Sequence, residues 1–311
     1  MVKEFIVYIH GITCLGQHKV HNSEYDELQR GVASEFNSNS EWNNAQLCFT
    51  EWGWNFDKQF NPGNQRVLSK AQSNLSKRVL HKVKTSKDFT INPLRFALNP
   101  MRKLMLFGFS DMFYYVSSDG KLQIRTSICE QISSKIGNLL DDDNSLISLT
   151  LIGHSAGSVI AIDISYYLFS GKIYSFVNNQ TSPGTVKIFE QLREKALDKK
   201  LRLRRLITLG SPISMLACRK DEVVELLAAG RKIDPVLHGI VDNPNFPTLT
   251  GPRWINIWEK DDPIALPIEP LMENSKNSVE DILIHSTDSI RKAHNLYWSS
   301  SEVHKIISEK W

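Results

Sequence analysis

The run Leu149-Thr150-Leu151-Ile152-Gly153-His154-Ser155-Ala156-Gly157-Ser158-Val159-Ile160 goes from an apolar strand pattern, through a Gly-His-Ser-Ala-Gly pentapeptide, into an apolar helical pattern. It reads as a strand, a sharp turn and a helix. A serine hydroxyl is a poor nucleophile until it is exposed, held in strain and hydrogen-bonded to a base. A turn of this kind supplies the first two conditions. Glycines two residues before and two after Ser155 suit a place where strand and helix backbones pass too closely for side chains. A serine at a helix N-terminus also has free N–H groups beside it, aimed at any negative charge that develops there. The pentapeptide alone recurs by chance, so the signal lies in its flanks. Val159, Ile160, Ile162 and Ile164 carry the helix onward. The competing reading is a glycine-rich turn without chemistry.

Outward from this point, short runs rich in β-branched and aromatic residues predict buried strands at Phe5–Ile9, Leu47–Thr50, Leu146–Ile152, Leu206–Leu209 and Trp254–Trp258, with a weaker one at Ile282–Ile284. Helical patterns cover Tyr25–Phe36, Thr126–Leu140, Ala156–Phe169 and Glu222–Ala229. Strands alternating with helices predict an α/β fold with a mostly parallel sheet covered on both faces. Two stretches exceed a simple connection. One lies at about 55–120; the other, Pro-rich, lies at about 213–252 and holds Asp234-Pro235, Asn243-Pro244, Phe246-Pro247 and Gly251-Pro252. Both read as insertions above the sheet, so the expectation is a single domain over 1–311 with a cap.

The bulk numbers allow this. The chain has 311 residues, 41% hydrophobic and 23% charged, enough for a sizeable core. Cys14, Cys48, Cys129 and Cys218 are far apart, without the C-x-x-C spacing of a metal or redox site. They read as reduced thiols, which suits a cytoplasmic location. Met1-Val2-Lys3-Glu4 leads straight into the first strand without a signal-peptide pattern, and no run approaches the ~20 apolar residues of a membrane helix.

The first strand ends in His10-Gly11. An oxyanion hole needs two donors. The amide of Ala156, next after the serine, is one candidate, and the amide of Ile12, with Gly11 as alternative, is the other. His10 itself reads as a structural imidazole tying that loop down.

Val7-Tyr8-Ile9-His10-Gly11, Gly153-His154-Ser155-Ala156-Gly157, Leu209-Gly210-Ser211-Pro212, Asp262-Pro263 and His294 together resemble the lipase/esterase branch of the α/β-hydrolase superfamily, in particular its poorly characterised bacterial lipase-like members. The similarity spreads over nearly the whole chain, although each motif is short. It implies the α/β-hydrolase fold with a helical cap. It also implies a triad in the chain order Ser, acid, His.

The strand Trp254–Trp258 runs into Glu259-Lys260-Asp261-Asp262-Pro263, which puts an acid on the rim expected for the serine. Asp262 precedes a proline that keeps its backbone extended, and the resemblance favours it, with Asp261 as the alternative. A helix cap or turn is the ordinary role of such aspartates. Among nine histidines, His18, His21 and His81 come too early, and His238 precedes the acid within the Pro-rich insertion. His285, His294 and His304 remain. His304 falls in a terminal helix read as opening on a capping box of Ser299 and Glu302, hence at the surface. His294, in Lys292-Ala293-His294-Asn295-Leu296-Tyr297-Trp298, lies where the fold's histidine loop belongs, and similar His-x-x-Tyr-Trp runs occur in the resembling proteins.

From Lys58 to Ser110 the sequence holds eleven lysines and arginines against one acid, Asp88, in a chain whose net charge is +3. Apolar residues interleave them. Such a basic amphipathic cap suits either peripheral contact with an anionic membrane or a solvated lid with its charges in water. No nucleic-acid-binding motif accompanies the charge, and no nucleic-acid partner is expected. Phe109–Tyr115 reads as packing where the insertion rejoins the core, with pocket lining by Asp111 and the tyrosines as the alternative.

The sequence therefore predicts a serine hydrolase cleaving a small-molecule or lipid carboxylic ester through Ser155, Asp262 and His294, needing neither metal nor organic cofactor. A phospholipase or thioesterase with the same triad is the alternative enzyme. A catalytically silent hydrolase-fold protein that binds a partner is the alternative from another class.

Overall fold

Six strands, β1 (Val2–Ile9), β2 (Gln46–Thr50), β3 (Leu146–His154), β4 (Leu201–Leu209), β5 (Trp254–Glu259) and β6 (Val279–Ile284), form one sheet in the order β2-β1-β3-β4-β5-β6. Every adjacent pair is parallel. The structure is a computed structural model that describes residues 2–11, 22–36, 40–52, 115, 118–140, 144–169, 182–219, 221–234, 245–273, 278–286 and 290–311. The described helices are α1 (Asn22–Ser34), α2 (Ser118–Leu140), α3 (Ala156–Phe169), α4 (Pro183–Leu197), α5 (Asp221–Ala228), the single turn α6 (Ile290–Ala293) and α7 (Ser301–Lys310).

The chain divides into two compact units, one of residues 1–11, 21–50 and 129–311, the other of residues 12–20 and 51–128. The first unit holds the whole sheet. In the second, the described residues include Tyr115, which is buried and accepts from Arg125 Nε at 3.4 Å. The whole basic stretch, and all of Phe109–Tyr115 except Tyr115, lies outside the described residues.

Alternation along the strands builds two apolar faces. Ile6 and Tyr8 of β1, Ile152 of β3, Ile207 and Leu209 of β4 and Ile255 and Ile257 of β5 pack with Tyr25, Leu28 and Val32 of α1 and Val303 and Ile307 of α7. Phe5, Val7, Leu151 and Leu206, at the intervening positions, are buried as well. Helix α3 packs on β1, β3 and β4, and α4 packs on α3 and β4. Helices thus cover both faces, and the strands are apolar almost throughout, as burial on two sides requires. This is the α/β-hydrolase type of architecture.

Four local expectations need correction. Strand β4 starts at Leu201, before Leu206, because Arg202, Arg204 and Arg205 are buried strand residues. Helix α4 goes unforeseen, although Ser182 caps it, accepting from the Thr185 amide, with Pro183 in its first turn. The terminal helix α7 is capped by Ser300, whose side chain accepts from the Val303 amide; Ser299 is not the cap, and Glu302 accepts instead from the His285 amide at 3.4 Å. His304 is buried, not at the surface. Its Nε2–H donates to the Trp298 carbonyl at 2.9 Å. Its ring fills a hollow at Gly31 of α1, where a Cβ would lie 2.0 Å from Nδ1.

Strand order directs attention to one place. The chain goes from β1 outward to β2, then returns past β1 to β3. Connections leave in opposite directions there, and open α/β sheets bind ligands beyond the carboxyl ends of the strands at such a point, here β1 and β3. Ile9 pairs with Gly153, His154 with Leu209, and Leu209 with Ile257. The residues that follow these strands share one rim.

Candidate active site

Ser155 stands between the end of β3 and the start of α3 with φ at +52°, one of two described non-glycine residues in the left-handed region. The other, Lys199, follows the C-cap of α4, where such a conformation is ordinary. For a serine at a strand-to-helix turn it is strain, of order 1–3 kcal/mol. Specific bonds hold it. The Ser155 amide donates to the Leu209 carbonyl at 2.9 Å, and the Ser158 amide donates to the Ser155 carbonyl at 3.0 Å. The Ser158 hydroxyl also donates to that carbonyl. Tight passage explains the flanking glycine, since a Cβ on Gly157 would lie 2.2 Å from the His10 carbonyl oxygen.

Ser155 Oγ lies 2.8 Å from His294 Nε2, and His294 Nδ1 lies 2.8 Å from Asp262 Oδ2. A proton on Nδ1 donates to the carboxylate, which leaves the Nε2 lone pair facing the serine hydroxyl. His294 comes from the turn after α6, and Asp262 from the turn after β5. Asp262 is buried, and burial by itself would raise its pKa. The hydrogen bond and charge of His294, the Ile264 amide at 3.0 Å from Oδ1 and the Tyr297 hydroxyl at 2.9 Å from Oδ2 outweigh that and hold it below the usual range.

His154, next before the serine, supports the base from behind. Its Nε2–H donates to the His294 carbonyl at 2.7 Å, and the two rings stand 4.9 Å apart between centroids. Burial, then the neighbouring His294, push the His154 pKa down to about 3, so its ring is neutral at physiological pH. It adds no positive charge beside the base.

The Ala156 amide is the first of α3, and the first amides of a helix have no partner within it. Ile12 lies outside the described residues. Its neighbour Gly11 is described and close, since a Cβ there would lie 2.5 Å from Ser155 Cβ. His10 is buried, and its Nδ1–H donates to the Gly11 carbonyl, so the imidazole ties down the strand end beside the serine.

The structure brings Ser155, His294 and Asp262 together and leaves the rival candidates apart from the hydrogen-bonded chain. His285 is exposed beyond β6. His304 is bound to Trp298. Asp261, next to Asp262, does not contribute the carboxylate that meets His294. Residues missed in the sequence are Tyr297, which bonds the acid, His154 as a brace for the base, and Gly210. Gly210, at φ +57°, clears the space in which Tyr297 and Asp262 meet. The spacing of Tyr297, three residues after His294, was the available signal.

Fold and side-chain geometry together define a class: an α/β-hydrolase-like protein whose serine, histidine and aspartate have the spacing of a serine-hydrolase triad. No family model matches the chain, nor does any curated protein or solved structure. Among the described residues, no group of three or more His, Cys, Asp or Glu side chains could hold a metal ion. No described helix is long and apolar enough to cross a membrane.

Proposed function

We propose that the protein is a serine esterase of the lipase/esterase kind, acting on a small-molecule or lipid carboxylic ester. The observation that carries this reading is the single imidazole hydrogen-bonded at 2.8 Å both to a strained serine hydroxyl and to a buried carboxylate. His294 takes the Ser155 proton as Oγ attacks the carbonyl carbon, and Asp262 stabilises the imidazolium. The Ala156 amide, with that of Ile12, receives the oxyanion of the tetrahedral intermediate. The imidazolium then protonates the leaving alcohol, an acyl-enzyme remains on Ser155, and water activated by the same base releases the acid.

Organisation as one hydrolase domain, with insertions at about 55–120 and 213–252, belongs to the same proposal. So does a cytoplasmic location, supported by the free thiols of Cys48 and Cys218. Peripheral contact with anionic membrane through the basic insertion is supported by its charge and interleaved apolar residues.

Turnover of p-nitrophenyl esters of increasing chain length, with a phospholipid and a thioester alongside, tests the reading. Ester cleavage by the wild type that falls about 10⁴-fold or more in kcat in a folded Ser155→Ala variant is the expected result. Preference for the phospholipid or thioester selects the alternative substrate. Folded wild type inert to all three favours a silent binding protein.

A further inference from the structure

The acid is held from two directions, and one of its donors comes from the segment that delivers the base. Tyr297 lies in the short turn Leu296–Trp298, directly after His294. Its hydroxyl donates to Asp262 Oδ2, the same oxygen that accepts from His294 Nδ1. The direction of the phenol proton is fixed, because the Glu259 amide donates to the Tyr297 oxygen at 2.9 Å and occupies a lone pair. Tyr297 is fully buried and Asp262 nearly so, so bulk solvent does not compete for either. Gly210 makes the approach feasible. A Cβ there would lie 2.6 Å from Tyr297 Cε2 and 3.0 Å from Asp262 Oδ2.

We infer that Tyr297 is a positioning residue for the triad, its hydroxyl fixing the Asp262 carboxylate against the His294 ring and drawing off part of its charge. The inference rests on the serine-hydrolase reading above. A carboxylate turns easily about its terminal torsion, since that torsion is broad. Donors at Oδ2 from Tyr297 and at Oδ1 from Ile264 leave it one orientation, with Oδ2 presented to Nδ1. A hydrogen bond to an ionised oxygen is stronger than one between neutral groups, and within a buried site it also weakens the carboxylate as a base.

Without the phenol, Asp262 carries more of its charge toward His294 and favours the imidazolium, the form that does not accept the serine proton. The neutral, active form is then reached at higher pH. Other titratable groups face this cluster. His154 lies with its ring 5.6 Å from that of Tyr297. Glu259 acts on Tyr297, and Glu24 acts on His154. All three are unchanged when Tyr297 is replaced, so their fields are common to both enzymes.

The test is kcat/KM against pH on one p-nitrophenyl ester for wild type, Tyr297→Phe, Asp262→Asn and the double variant. Phenylalanine keeps the ring packing beside His154. The expected result is a loss of roughly tenfold in Tyr297→Phe, the order of one hydrogen bond to a charged group, with the acid limb displaced to higher pH. In the Asp262→Asn background the same substitution should add little, because Tyr297 acts through the carboxylate. An unmoved acid limb, or an equal loss in both backgrounds, would overturn the inference and reduce the phenol to packing. If Tyr297→Phe does not fold, 3-fluorotyrosine at 297 decides. As a stronger donor it should move the acid limb to lower pH, and an unmoved limb counts against the proposal. Wild type that is itself inert toward esters defeats the hydrolase reading, and is recognisable as that failure because no variant is needed to see it.

Discussion

At the scale of single residues, the site depends on strain at one position and neutrality at another. Ser155 is held at a positive φ by bonds from its own amide to Leu209 and from Ser158 to its carbonyl, so the hydroxyl is placed before any substrate arrives. His154 must stay uncharged to donate from Nε2 to the His294 carbonyl without repelling the base. That requirement links stability to pH. Above about pH 6.5, the ordinary histidine value, folded and unfolded chains both hold this ring neutral, and it contributes no pH dependence. Below it, the unfolded chain takes up a proton that the folded chain refuses until about pH 3. Stability therefore falls toward acid, by up to about 1.4 kcal/mol per pH unit from this group. Urea denaturation at pH 7 and pH 5 should show the decline, and His154→Gln should flatten it. An identical slope in the variant would mean that His154 is not the group responsible.

At the scale of elements, much of the fold was legible in the sequence because parallel strands buried on both faces are apolar nearly throughout. Leu146–His154 and Trp254–Glu259 are of this kind. The nucleophile turn was legible for a related reason, since only glycine tolerates the approach of α3 to β1 at position 157. Where buried residues are charged, the pattern hides the element. The first half of β4 falls outside the predicted strand Leu206–Leu209, yet Arg204 Nη1 bonds Glu4 Oε1 at 2.8 Å and Arg205 donates to the Lys310 and Thr250 carbonyls at 2.7 and 2.8 Å. Burial pulls Arg202 and Arg205 down to about 10, which leaves both charged at neutral pH and makes these partners obligatory. The misplaced surface reading of His304 has the opposite cause. Its helix position carries no sign of burial in the local sequence; a glycine on the facing helix, Gly31, opens a hollow for it. The bond from Tyr297 to Asp262 joins two segments 35 residues apart; the spacing from His294 marks the tyrosine but not its partner.

At the scale of the whole molecule, strand order places the chemistry. The reversal falls between β1 and β3, and Gly11, Ser155, Gly210 and Asp262 all follow strands onto the rim at their carboxyl ends. Charge is distributed unevenly along the sequence, with the basic stretch 58–110 set in a chain that is otherwise net acidic. If that stretch meets membranes, the protein should bind vesicles containing anionic lipid and release them as salt rises past the range where Debye screening reaches ~8 Å. Equal binding to neutral and anionic vesicles, or none, removes the membrane proposal and leaves the esterase intact. All of this chemistry depends on activation of the hydroxyl at 155 by the imidazole at 294. Treatment with a fluorophosphonate, followed by peptide mass mapping, tests it most directly. One adduct is expected, on the peptide carrying Ser155, formed rapidly in wild type and lost or greatly slowed in His294→Ala. A folded wild-type protein that stays unmodified, or an adduct on a different serine, would contradict it.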